Sequence, residues 1–272
     1  MEMAKIEDSS VYVTDLNAVI EEWSGENLMR SYSLDTVSIN NKEEGTFYNP
    51  YQIIYVTPFE PSQEKEYRLK IEVNGRTVTA KTNIVNDFSI EKPSEGSKFI
   101  QFNPDSPVPS EVKWYSARFG RRYEVLMRIN YKEVFLDQPD TVFKYIDWGM
   151  GTQKSTTLNG GQELKVTYNN NSFYTILADR VPYADPATEA RVIERYTNNV
   201  DVIIAVAGEE LNTYMEVNEP SNSIVQDKPD YTNITNGIGL FSSRYKKIRS
   251  KKIHPETIEN IQTIDPQLKF VY

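Results

Sequence analysis

The residues able to do chemistry in this chain are few. One histidine, His254, stands among 272 residues, and there is no cysteine. A Ser-His-acid triad or an imidazole metal centre would have to be built around His254 alone. It precedes Pro255 at a predicted helix start, where a polar cap is the simpler role. A histidine-rich metal centre is excluded, and so are disulfides, thiol catalysis and Cys-ligated zinc. No catalytic, cofactor-binding or metal residue is assigned, and no cofactor is expected.

Carboxylates are the one common catalytic route left, because glycoside hydrolysis needs two acids flanking a sugar. Adjacent pairs stand at Glu21-Glu22, Glu43-Glu44 and Glu209-Glu210. Neighbours on a strand point to opposite faces, so adjacency alone builds no shared site. With 39 acids in the chain, solvated surface is the default reading.

Three further patterns have chemical and structural readings. Gly237-Ile238-Gly239 lacks the third glycine of a dinucleotide loop, and Leu240-Phe241 follows where a phosphate-binding turn would open a helix. A turn entering a strand explains it better. Six bases fall in the nine residues Arg244–Lys252, a run suited to phosphate or lipid head groups but more often a solvated polar strand. Trp114-Tyr115, and Tyr145 with Trp148, offer aromatic faces for sugar stacking, with the loop region 145–163 between strands as a second pointer to carbohydrate. Core packing is the default for all of them.

These residues must be positioned by a mainly β scaffold. Aromatics make up 12% of the chain, 18 of them tyrosine, and tyrosine suits a half-buried pleated surface. Hydrophobic and charged fractions are those of a globular protein. The net charge of −9 opposes phosphate backbones, so nucleic acid is not an expected partner. The longest strictly apolar run, Val202–Ala207, is far short of the ~20 residues a spanning helix needs, and the first residues lack a signal-peptide pattern.

Alternation of Tyr67, Leu69, Ile71 and Val73 with charged residues, then Asn74-Gly75 and a return arm to Ile84, predicts a hairpin. Ser10–Thr14 and Ala18–Trp23 predict another, turning at Asp15-Leu16-Asn17. Residues 46–57 are β-rich but interrupted by Pro50. Prolines 93, 104, 107 and 109 mark a boundary region, and the domain break is set near residue 87. Strands are expected at Tyr123–Tyr131, Thr141–Trp148, Glu163–Tyr168 and Val200–Ala207. Short helices are expected at Ser172–Asp179, at Glu209–Val217 (with Leu211, Tyr214 and Met215 on one side) and at Pro255–Gln262. Asp185-Pro186 reads as a helix start, while Arg191–Tyr196 also fits a strand, so 186–196 stays open.

The run Asp230–Arg244 (DYTNITNGIGLFSSR) resembles a signature near the end of a family of Bacteroidetes outer-membrane lipoproteins, a domain of unknown function often encoded beside TonB-dependent receptors. Trp114–Tyr131, Ala207–Leu211 before Tyr214, and the Tyr67-Arg68-Leu69 hairpin ending in Ala80 are similar too. The resemblance implies export, a lipid anchor at a cysteine and residence at the outer membrane or cell surface, with signal and anchor outside this chain. The family has no established catalytic residues, so none carries over. Asn233, Asn236 and Gly237 read physically as turn formers.

The resulting expectation is an N-terminal immunoglobulin- or transthyretin-like β-sandwich over 1–87, and a larger β-sandwich-like domain with short helices over 88–272. The protein is expected to be non-enzymatic, an exported lipoprotein accessory to an outer-membrane receptor or binding a surface glycan or protein. The alternatives are a carbohydrate-binding module or two-carboxylate glycosidase, and a fimbrial or adhesive subunit whose edge strand pairs between chains.

Overall fold

The computed structural model describes residues 16–39, 52–136, 141–183, 192–219 and 231–272. The protein is mainly β, with several sheets and three short α-helices among the described residues: α1 (Asn171–Arg180), α2 (Glu209–Asn218) and α3 (Pro255–Ile264). No helix among these residues is long and apolar enough to cross a membrane. The chain divides into two units, one holding Met1–Ile84 with Gly208–Ser243, the other Val85–Ala207 with Arg244–Tyr272. The single break near 87 expected from sequence places 208–243 in the C-terminal domain. The chain instead comes back to the first unit for those residues, and the proline-rich segment 93–109 lies inside the second.

In the first unit, β1 (Leu16–Ser24), β2 (Asn27–Ser33), β5 (Glu66–Val73) and β6 (Arg76–Asn83) form an antiparallel sheet in the order β2-β1-β5-β6. The β5–β6 hairpin has the predicted register, Tyr67 opposite Thr82 and Ile71 opposite Val78. Its turn uses Asn74 and Gly75, both at positive φ (50° and 72°), the backbone that matches the strands' right-handed twist. Of the turn expected at 15–17, Asp15 lies outside the described residues. Leu16 and Asn17 are strand, opening β1 and pairing with Val73 and Glu72, and β1 turns into β2 at Gly25, φ 61°. Ser10–Thr14, Pro50 and Glu43-Glu44 lie outside the described residues. A second pair, β3 (Asp35–Ile39) with β4 (Gln52–Val56), stands apart from the four-stranded sheet.

Strand parity divides the four-stranded sheet. Ala18, Glu22, Tyr67, Ala80 and Thr82 are buried on one face, while Glu21, Arg68, Lys70 and Lys81 occupy the other. Helix α2 forms where expected, but its buried residue is Asn212; Leu211 and Met215 are half-buried and Tyr214 is exposed. The inward face is therefore centred on Asn212 between Leu211 and Met215, and Tyr214 lies off it.

The second unit packs two sheets over one core. The larger runs β11 (Val142–Lys154), β10 (Arg122–Phe135), β13 (Val192–Ala207), β14 (Arg244–Ile253) and β8 (Phe99–Ile100), with β15 (Phe270–Val271) beside β13. The smaller runs β12 (Glu163–Tyr168), β9 (Ser110–Tyr115) and β7 (Ile90–Lys92). Alternate residues Tyr123, Val125, Met127 and Ile129 of β10 are sealed against Val112, Trp114 and Leu164 of the smaller sheet. Each such side chain contributes roughly 1.5–3 kcal/mol by leaving water. Phe173 and Leu177 of α1, and Ile258 and Ile261 of α3, close the same core, with Phe173 stacked on Phe102 at 4.1 Å between centroids. Residues 192–196 are strand; the Asp185-Pro186 helix start lies outside the described residues.

Candidate ligand-binding face

His254 is the N-cap of α3. Its Nδ1 accepts a hydrogen bond from the Glu256 backbone N–H at 3.3 Å, and Pro255 takes the first helical position. A cap that uses the imidazole lone pair has a structural role, as its position before Pro255 suggested.

Glu21 and Glu22 do not converge. Glu22 is buried and accepts from Tyr67 Oη (3.0 Å) and Tyr32 Oη (3.2 Å), whereas Glu21, on the opposite face, holds Trp23 Nε1 at 2.9 Å. Burial pushes the Tyr67 phenol up to about 12. In the first turn of α2, Glu210 accepts from Thr82 Oγ1 (3.1 Å) and Ser242 Oγ (3.3 Å). Among the described residues, no group of three or more metal-type ligands is assembled.

Residues 231–243 dress the edge of β6. Thr79 and Thr235 exchange both backbone hydrogen bonds, at 3.2 and 2.7 Å. The Asn233 amide donates to Phe241 O (2.6 Å) and accepts from Phe241 N (2.9 Å), while Asn236 Nδ2 reaches Thr77 O at 2.9 Å. Thr232 Oγ1 closes the intervening loop through Gly239. The Tyr-Thr-Asn-Ile…Asn-Gly segment is thus structural, as its turn formers indicate, and what it does is cover a sheet edge, which those residues alone do not indicate. An open groove of about 750 Å³ beside it is lined by Glu21, Arg68, Lys70, Glu210, Asn233 and Thr235. Much of its charge is already engaged: Arg68 is paired with Glu66 at 2.7 Å and Lys70 with Glu72 at 2.7 Å.

The basic run forms β14, where strand parity splits its cations into two groups. Lys247, Arg249 and Lys251 turn inward and tie down the segment that precedes and follows Pro93. Lys247 Nζ binds Asp87 at 2.7 Å, Arg249 reaches Pro93 O at 3.4 Å, and Lys251 donates to Glu95 O at 3.0 Å and to Ser97 O. Burial pulls the Lys251 ammonium below its ordinary pKa. Arg244, Lys246 and Lys252 point outward and are exposed.

The aromatic pairs are split in the same way. Trp114 is fully buried, and its neighbour Tyr115 lies on the other face at 38% exposure. Trp148 turns inward against Tyr168, 5.4 Å between centroids, while Tyr145 turns outward at 59% exposure. Tyr145 and Trp148 therefore share no platform. The loop after β11 is closed by its own bonds, Gln162 Oε1 accepting from Ser155 Oγ and Thr156 N at 2.9 and 2.8 Å. Gly160 (φ 80°) lies so close to Arg118 N that a Cβ there would stand 2.9 Å away.

The register brings a different set together on the outer face of the larger sheet. Asp147 of β11, Arg128 of β10, Asp201 of β13 and Ser250 of β14 form one row across four strands. Arg128 clamps Asp147 with two bonds of 2.7 and 2.8 Å, and its guanidinium lies 4.0 Å from the Tyr145 ring centroid. That hydrogen bonding holds the Asp147 carboxyl below its ordinary pKa. Asp201 accepts from Asn130 Nδ2 (2.8 Å) and from Ser250 Oγ. In the neighbouring rows, Phe143 is 71% exposed and faces Lys132, which lies 4.8 Å over the Tyr196 ring. Of this set only Tyr145 was singled out from sequence. Parity along β10, β11 and β13 would have placed the others on one side, but their neighbours across the sheet follow only from strand order.

No protein-family model and no curated protein matches this chain. Among solved structures it is similar to Spo0M, a sporulation control protein from Bacillus subtilis, at 13% identity over 66% of this chain and 54% of that one, with a TM-score of 0.22. The chain thus spans about half the length of that structure, and a TM-score this low assigns no common fold.

Proposed function

We propose that the chain is a non-enzymatic binding protein, exported and lipid-anchored at the outer membrane or cell surface, that serves an outer-membrane receptor or holds a surface partner. The observation that carries the binding half is the outer face of the larger sheet. There Tyr145 and Phe143 are exposed beside polar side chains that already satisfy one another. A rigid sheet presenting exposed aromatics among ordered polar groups is suited to recognition. The export and anchoring half rests on the resemblance carried by residues 230–244.

Hydrolysis is the weaker reading of the same face. Asp147 and Asp201 flank Arg128, but Asp147 is held ionised by that arginine, the opposite of what a general acid working at neutral pH requires. The adhesive reading has less support at β6, whose edge is already covered by residues 231–243. Chemical cross-linking in cells of the native host, with the full-length gene product tagged, tests the proposal. Recovery with an envelope receptor or surface component, reduced by Tyr145→Ala, is expected. A purely cytosolic fractionation with no envelope partner would overturn it.

A further inference from the structure

We infer that the outer face of the larger sheet takes an acidic glycan, a saccharide chain bearing uronate carboxylates; this deepens the binding role just proposed and rests on it. The argument starts from charge. The chain as a whole is at −9, yet on this face bases outnumber acids. Arg128 and Lys132 project from β10, Lys154 from β11, and Arg244, Lys246 and Lys252 from β14, against Glu124, Asp147, Glu194 and Asp201.

Three of those acids are already engaged within the face: Asp147 by Arg128, Asp201 by Asn130 and Ser250, Glu194 by Tyr196 at 2.5 Å. Lys246 and Lys252, both exposed, have no ion-pair partner among the described residues. Only Asp147 is offset by a base of the face, since Asp201 and Glu194 are held by neutral donors and keep their charge, so the excess of bases leaves the face net positive. A local cationic field on an acidic protein steers and holds an anion.

The second element is aromatic. Phe143 and Tyr145 stand two residues apart on one face of β11, about 6.6–7 Å along the strand, at 71% and 59% exposure. The apolar face of a pyranose covers such a ring, while its hydroxyls meet amide and carboxylate groups such as those of Asn130 and Asp201. An acidic peptide would satisfy the lysines without needing the rings, and a neutral sugar would satisfy the rings without needing the lysines. A uronate-bearing glycan uses both.

Titration calorimetry of the purified chain with hexagalacturonate, cellohexaose and a polyglutamate of matched charge separates these ligands. Binding of hexagalacturonate at least tenfold tighter than either control is expected, weakening further as salt rises. Lys246→Glu, Lys252→Glu and Tyr145→Ala should each weaken it five- to tenfold or more. Arg76→Glu, the same charge change in the first unit, should leave it unchanged. Circular dichroism confirms that each variant is folded, and Phe143→Ala serves as a second aromatic variant.

Equal affinity for polyglutamate, indifferent to Tyr145, would overturn the glycan. Equal affinity for cellohexaose would overturn the acidic requirement. Failure of all three ligands overturns the inference. In that case the proposed binding role still stands if Tyr145→Ala reduces cross-linking to an envelope partner in cells, and falls with the inference if it does not.

Discussion

Arg195 and Glu133 face each other across β13 and β10 as an ion pair sealed from solvent, Nε to Oε1 at 2.9 Å, with side chains 0% and 1% exposed. Arg195 spends its remaining donors on Leu268 O and Pro182 O, both at 2.9 Å, and its own backbone N–H on Lys269 O at 2.8 Å. Lys144 reaches the second Glu133 oxygen at 2.7 Å. One guanidinium thus ties the C-terminal segment and the chain after α1 to the larger sheet.

Removing Glu133 strands the buried Arg195 charge, and removing Arg195 leaves the buried Glu133 to the half-exposed Lys144 alone, each at a cost of about 3–5 kcal/mol. Arg195→Met and Glu133→Ala should therefore each lower the melting temperature by roughly 10 °C. The double variant should lose less than the sum of the two, because neither charge is then left alone. Thermal unfolding by circular dichroism checks the cycle; strict additivity would count against a coupled pair.

Alkali should unfold the protein through its buried tyrosines. Burial raises the phenols of Tyr67 and Tyr123 to about 12, from an ordinary value near 10. Because the folded state favours the protonated form, their contribution is complete below pH ~10 and is lost as pH rises towards 12. Tyrosinate absorbance followed beside circular dichroism should show these phenols ionising only with unfolding. Normal titration of both in the folded protein would refute it.

The cover on β6 depends on Asn233. Asn233→Ala removes its bonds to both backbone groups of Phe241 and leaves them short of partners, a loss of about 1–3 kcal/mol. Hydrogen exchange should quicken at the Thr79 and Thr235 amides, and leave Met127 in the second unit protected. Unchanged exchange at Thr79 would show that the strand edge holds without the loop.

The two sides of β14 should respond differently to alanine. Lys251→Ala deprives the Glu95 and Ser97 carbonyls of a charged donor, worth about 1.5–3 kcal/mol, and should lower the melting point by several degrees. Lys246→Ala and Lys252→Ala, on the exposed side, should change stability by less than about 0.5 kcal/mol. Equal effects on both sides would contradict the assigned parity.

Much of this was legible from residues alone because it is local. The β5–β6 hairpin follows from alternation plus Asn74-Gly75, and β12 spans the Glu163–Tyr168 expected of it. Helix α3 starts at the Pro255 that follows His254, since cap and first-turn chemistry act within a few residues. The lack of cysteine and the single histidine bounded the available chemistry before any fold was known. What the tertiary structure alone decided are the relations made across long stretches of chain. Thr235 pairs with Thr79, Arg195 meets Glu133, and Arg128 sits between Asp147 and Asp201 because sheet order placed their strands side by side. Periodicity tells which residues of a strand share a face. Which strand lies next to it is settled by packing energy over the whole core, and no local window of sequence carries that information.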